Sequence, residues 1–129
     1  MPDAPNFDEC SPNLMVERAK GLVPLILDQV DEAERNRNIS EDVIQRMREQ
    51  GLFRMLQPKR FGGLEFDVTT VVRCCLEWAS ADASVAWVAG LAIVHQWLIA
   101  MFPIECQEEI WGKNPDAITF GSYAPSGSC

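Results

Sequence analysis

From Asp82 to Pro103 the chain reads DASVAWVAGLAIVHQWLIAMFP, and only Asp82, Ser84, His95 and Gln96 interrupt the apolar run. A helix with so little polar surface has no face wide enough to meet water, so the pattern predicts a helix buried by its neighbours. The rest of the chain reads as cover. Met15, Ala19, Leu22, Ile26, Val30 and Ala33 recur in steps of three or four, which is one helical stripe. Gly21 and Pro24 break it. Proline removes a backbone donor and crowds the preceding turn, so a kink or a restart is expected near Val23. After a polar link at residues 36–39, Ser40 is placed to cap a second helix. Glu41 and Asp42 suit its positive end, and Val43, Ile44 and Met47 form its apolar side. Gly51 fits the left-handed position that ends helices.

Residues 52–56 predict one further turn, stopped by Pro58. Pro58-Lys59-Arg60-Phe61-Gly62-Gly63 is a loop whose two glycines open backbone angles closed to other residues. Asp67 caps a helix reaching Ala79, with Val71, Val72, Cys75, Leu76 and Ala79 expected inside. Ser80 or Asp82 caps the long apolar helix. Its Ala83, Ala86, Ala89, Gly90 and Ala92 let neighbouring backbones come close. Pro103 suits the first turn of a last helix, which keeps Glu105, Glu108 and Glu109 outside and ends at Gly112. Residues 117–120 then favour a strand, followed by a turn-rich loop at 121–127. A lone strand has an unpaired edge, so this stretch reads as the opening of another domain. The expected architecture is all-α, a bundle of about five helices with the start of a β domain at the C-terminus. Its expected parts are a flexible arm at 1–12, a helical domain at 13–114 and the start of a truncated β domain at 115–129.

Composition narrows the function classes. A length of 129 residues suits one domain, and 47% apolar against 23% charged residues excludes a disordered chain. A net charge of -8, spread along the sequence, argues against a nucleic-acid partner. The five cysteines are odd in number, two are adjacent and none forms a CxxC pair, so neither a disulfide framework nor a zinc site fits. Free thiols in a reducing, cytoplasmic compartment are expected. Met1-Pro2-Asp3-Ala4 lacks the basic start of a signal peptide. About 20 apolar residues would span a bilayer. Asp82 and Glu105 flank the run, however, and no Lys or Arg stands close enough to orient it, so no membrane is expected. The Glu105, Glu108 and Glu109 cluster reads as a wet helix face, and no metal site is expected.

The chemistry-bearing residues each have an ordinary reading. A lone His95 on an apolar helix is more often a satisfied core residue than a catalyst. Trp78, Trp87 and Trp97 read as core packing, because aromatic side chains dominate buried area. Cys74 and Cys75 read as packed thiols. Gly62-Gly63 reads as turn geometry, since residues 64–66 separate it from the next helix start.

Three pieces together resemble the acyl-CoA dehydrogenase superfamily. They are the 58–63 loop, similar to P-x-x-[YF]-G-G; the order of helices around it, ending at Phe102-Pro103; and Asp116-Ala117-Ile118-Thr119-Phe120-Gly121-Ser122, which looks like the opening of that family's middle β domain. Trp87, His95 and the 121–127 loop most resemble the two-component flavin-dependent monooxygenases, which hydroxylate aromatic substrates. The dehydrogenases' Thr- and Glu-containing flavin loop is absent at 121–127.

The resemblance implies a separate flavin reductase supplying reduced FMN or FAD, O2 adding to give a C4a-hydroperoxide, and transfer of one oxygen to an aromatic substrate. It places His95 as the catalytic residue and Trp87 and Ser122 against substrate. Tyr123, Ala124, Pro125 and Ser126 would lie along the flavin. A homotetramer is implied for the full-length protein. The family's later bundle supplies much of the flavin site, so this chain alone is expected to be incomplete and inactive. Two other readings stand beside this one: an acyl-CoA dehydrogenase using FAD, and a truncated, non-catalytic helical domain.

Overall fold

The computed structural model describes residues 9–121. Among them lie six α-helices: α1 (Pro12–Gly21), α2 (Val23–Asn36), α3 (Glu41–Glu49), α4 (Val68–Ala79), α5 (Ala83–Ala100) and α6 (Ile104–Trp111). Short 3-10 turns at Leu52–Arg54 and Lys59–Phe61 join α3 to α4. The restart expected at Val23 is a clean break. Leu22 closes α1 and opens α2, with Pro24 in the first turn of α2, where its missing donor costs little.

Side-chain caps start three of the helices. Ser11 accepts the Leu14 N–H at 3.2 Å and Asp67 accepts the Thr70 N–H at 3.0 Å. Asp82, not Ser80, caps α5, accepting the Ser84 N–H at 2.7 Å. Ser40 stands at the start of α3 but makes no capping bond with its side chain. Gly51 takes the left-handed conformation expected of it, at φ 73°.

α4 and α5 lie side by side and α1 crosses α4, with the Leu52–Arg54 turn under α5. Met15, Ala19, Ile26, Met47, Leu52, Met55, Cys74, Trp78, Ala89 and Ile93 are essentially sealed between them. The small residues of α5 act as expected: a Cβ added at Gly90 would sit 3.1 Å from Cys75 Sγ.

Two expectations about faces are corrected. α4 turns Thr70, Val71, Cys74 and Trp78 inward, while Val72 and Leu76, expected inside, are exposed. The stripe chosen from sequence lies to one side of the true one, because α4 is apolar over more than half its circumference. Nor is α5 sealed. Val85, Ala89, Ala92, Ile93, His95 and Gln96 face inward, but Trp87 is 70% exposed and Trp97 47%. Those two tryptophans are therefore not core residues, unlike Trp78. α4 and the 52–54 turn reach only one side of α5, and uniform apolarity does not say which side. α5 is also long and apolar enough to cross a membrane, with a mean hydropathy of 1.6, yet its inner face packs against its neighbours.

Residues 117–120, expected to form a strand, run without strand pairing among the described residues. The 1–8 part of the expected arm, and the 122–129 part of the expected β opening, lie outside the described residues.

The adjacent thiols sit in the α4–α5 seam. Burial, and then the neighbouring Cys75, pushes the Cys74 thiol from its ordinary 9.0 up to about 12. Burial also raises Cys75. The neutral Cys74 thiol is thus favoured by the fold. Its contribution is fully present below pH 9 and is lost as pH rises towards 12, because the unfolded chain releases that proton first. The stability of the wild-type chain, followed by urea unfolding, is expected to fall between pH 9 and 11 at up to about 1.4 kcal/mol per pH unit. In Cys74→Ala the slope should flatten.

Candidate functional site: His95 beside the departing chain

After α6 the chain crosses back over the bundle without regular structure, and side chains take over the bonding that a ladder would supply. Gln57 and Gln96 are each about 1% exposed. The Gln57 amide donates to the carbonyls of Phe61 (2.8 Å) and Pro115 (2.9 Å). Gln96 donates to the Ala117 carbonyl at 3.1 Å and accepts the Thr119 hydroxyl at 3.3 Å. The Trp111 indole N–H also reaches the Ala117 carbonyl, at 3.3 Å. Arg48 donates to the Asp116 carbonyl (2.9 Å), and the Arg54 guanidinium grips the Asp116 carboxylate (3.0 Å from Nε). Residues 115–119 are thus held from α3, α5, α6 and the 52–57 segment at once.

Burying an amide without partners costs about 1–3 kcal/mol, and the same penalty falls on carbonyls left behind when one is removed. Gln96→Leu, which keeps the bulk and loses both bonds, is expected to destabilise the chain by that amount. It should also speed amide hydrogen exchange in residues 117–121 more than in α4, as read by mass spectrometry.

This clamp delivers the backbone to His95. The ring is buried, at 6% exposure. Its Nδ1 lies 2.7 Å from the Leu91 carbonyl one turn earlier. A carbonyl only accepts, so Nδ1 carries a proton directed at Leu91. Nε2 is turned to the departing chain: a Cβ added at Gly121 would lie 3.0 Å from it. The Phe120 ring stands 6.4 Å from the imidazole, tilted by 43°.

Trp87 is eight residues earlier, about 80° round the helix from His95. It looks outward on the exposed face with Leu91. Ser122, Tyr123, Ala124, Pro125 and Ser126, the remaining residues singled out from sequence, lie outside the described residues. On the other flank of His95 a groove of about 1020 Å³ runs between α2, α3 and α5. Ile44, Val88, Ala92, Ile118 and Phe120 line it, with Arg37 and Asp82 among its charged residues. No group of three metal-binding side chains occurs among the described residues. Sequence reasoning missed Gln57, Gln96 and the arginine grip on Asp116. The one signal was two glutamines inside apolar runs.

Residues 20–113 match the acyl-CoA dehydrogenase N-terminal domain. The chain belongs to that family. Within it, the chain is 38% identical over 126 residues to the FADH(2)-dependent resorcinol hydroxylase oxygenase component of Rhizobium sp. (strain MTP-10005), covering 97% of this chain and 31% of the relative. It is 38% identical over 113 residues to the p-hydroxyphenylacetate 3-hydroxylase oxygenase component of Acinetobacter baumannii, covering 88% and 27%. Among solved structures, the HsaA monooxygenase from M. tuberculosis superposes with a TM-score of 0.86 at 30% identity, over 90% of this chain and 31% of that one. The 3-HSA hydroxylase from Rhodococcus sp. RHA1 gives 0.83 at 34%, over 86% and 29%. The chain spans about a third of the length of these relatives. In this acyl-CoA dehydrogenase-type domain, the elements conveying His95 to the departing chain all lie within the matched region.

Proposed function

We propose that this chain is the N-terminal part of the oxygenase component of a two-component flavin-dependent monooxygenase that hydroxylates an aromatic substrate. The observation that carries the reading is the position of the buried His95, with Nδ1 held on the Leu91 carbonyl and Nε2 turned to the point where the chain leaves the helical domain. The names of several relatives, oxygenase components and flavin-dependent monooxygenases, support the reaction class.

The residues present fit the reacting edge of a flavin site. A buried imidazole lies on the same helix as the exposed, apolar Trp87 and Leu91, and Gly121 lets the chain pass close to its Nε2. Reduced flavin, FMN or FAD, delivered by a reductase, supplies the activation of O2. His95 Nε2 takes the proton of a phenolic hydroxyl, which enriches the ring for attack by oxygen. The Leu91 carbonyl holds the resulting imidazolium through Nδ1–H. By the resemblance, Trp87 and Ser122 are assigned to the substrate and Tyr123, Ala124, Pro125 and Ser126 to the cofactor. The apolar surroundings keep water away from the reacting atoms. In the whole protein we assign a homotetramer, in keeping with the resemblance. Cys10, Cys74, Cys75 and Cys106 are free, in keeping with a cytoplasmic location.

The test is a chimera joining residues 1–121 to the remainder of the Acinetobacter oxygenase component. With a flavin reductase and NADH it is expected to consume oxygen and form a hydroxylated product only when a phenol is present. Bleaching of bound flavin by an acyl-CoA, without phenol-dependent oxygen uptake, would overturn the assignment in favour of dehydrogenation.

A further inference from the structure

We propose that Gln96 and Thr119 form a register lock and act as positioning residues for His95: together they decide which residue of the departing chain passes its Nε2. The inference rests on the oxygenase reading and adds to it two residues that act through the imidazole.

Gln96 and His95 are consecutive on α5, and both are buried. A helix fixes the relation between adjacent side chains, about 100° apart. α4 and the 52–54 turn hold this helix along its inner side. Whatever is bonded to Gln96 is therefore also placed relative to the imidazole. The Gln96 amide bonds at both ends. Its nitrogen donates to the Ala117 carbonyl at 3.1 Å, and its oxygen accepts the Thr119 hydroxyl at 3.3 Å. One contact would leave the segment free to swing about it. Two contacts, two residues apart, fix position and direction together.

This is the last such tie before the imidazole. The Ala117 N–H, bonded to the Asn114 carbonyl, makes the final backbone–backbone hydrogen bond among the described residues. The Ala117 carbonyl also receives the Trp111 indole N–H at 3.3 Å, so it keeps a donor when Gln96 is removed. The Thr119 hydroxyl has no such second tie among the described residues. Two residues further on, Gly121 meets His95.

Register matters there because the space suits glycine. A Cβ at position 121 would stand 3.0 Å from His95 Nε2 and 3.1 Å from Cδ2, inside the roughly 3.5–4.0 Å at which carbon atoms pack best. A slip of one residue moves a chain by up to about 3.5 Å. It would bring residue 120 or 122 to that place, and Phe120 and Ser122 both carry a Cβ. The imidazole would then be pressed away from the Leu91 carbonyl, which holds its Nδ1 at 2.7 Å.

The chain contains one histidine, so nuclear magnetic resonance of the 129-residue chain made with isotope-labelled histidine reads this imidazole alone. The Hδ2 resonance is the sensor, since Cδ2 faces residue 121 and the Phe120 ring stands 6.4 Å from the imidazole. Thr119→Val keeps the shape of the side chain and removes the hydroxyl. It is expected to shift that resonance, and Gln96→Leu to shift it further. Thr119→Ser, which keeps the hydroxyl, is expected to return it to the wild-type position. A residue that merely adds stability would lower the urea midpoint and leave the resonance where it is. In the chimeric oxygenase, Thr119→Val is expected to lower kcat about 10-fold, within the roughly 10²-fold that a 1 Å misplacement can cost. KM for the phenol should change little, the mark of lost alignment rather than lost binding. A resonance unmoved in Thr119→Val, or moved equally in Thr119→Ser, overturns the inference. So does an active chimera whose kcat is indifferent to Thr119→Val. A wild-type chimera without phenol-dependent oxygen uptake would instead remove the oxygenase reading, and the resonance would still decide the lock.

Discussion

Substituting His95 by alanine is expected to slow phenol hydroxylation by the chimeric oxygenase about 10²–10⁴-fold, the range set by removal of a positioned proton acceptor. The Leu91 carbonyl holds Nδ1, so Nε2 is turned towards Gly121. The fold should survive. His95 packs at the edge of the bundle, and its neighbours Ala92, Ile93 and Gln96 keep their own contacts. The measurement is kcat under saturating reduced flavin, beside a urea melt of the same variant. Loss of activity with a near-normal unfolding midpoint supports the catalytic role. If stability and turnover fall together, His95 is a core residue and nothing more. Activity retained by His95→Gln would equally remove the imidazole from the chemistry.

Gly63→Ala is expected to destabilise the chain by about 3 kcal/mol, a large share of the 5–15 kcal/mol that holds a domain of this size together. An added Cβ would fall 1.9 Å from the Gln57 carbonyl oxygen and 2.2 Å from its carbon. These are backbone atoms and cannot swing aside as the end of a side chain can. The loop is also tied back to the same segment. Gly63 N–H bonds the Pro58 carbonyl, Leu64 N–H the Arg54 carbonyl and Phe66 N–H the Met55 carbonyl, all at 2.8–3.0 Å. Moving Gln57 would loosen its hold on Pro115, so the damage should spread to residues 115–121. Gly21→Ala is the control. Nothing lies within 4 Å of its new methyl group. Urea unfolding should place that variant at or slightly above wild type, with Gly63→Ala far below. A Gly63→Ala midpoint close to wild type would mean that the loop yields more easily than its geometry implies.

These contrasts show what the sequence disclosed. Signals carried by one residue and its immediate neighbours were legible: Pro24 restarting a helix, Asp67 and Asp82 opening helices, Gly51 ending one. His95 was legible because it is the only imidazole, on a helix otherwise nearly free of polar groups. Signals that depend on what lies across the fold were not. Val72 and Leu76 look as buried as Val71 until the position of α1 is known. Trp87 and Trp97 look like core residues until it is clear that one side of α5 is left exposed among the described residues. Gln57 and Gln96 bond backbone atoms more than 20 residues away, and no local pattern announces such a partner. The approach of Gly121 to the imidazole depends on that clamp and was invisible for the same reason.

The placement of α5 also bears on how a ribosome makes this protein. Its apolar stretch would be hazardous if it emerged before its companions. The two elements that supply most of its packing, α4 and the 52–54 turn, both precede it in the chain. They have therefore left the exit tunnel by the time α5 appears, so a receiving surface can form during translation. A circular permutant that moves α5 to the front would lose this ordering and should depend far more on chaperones for its yield.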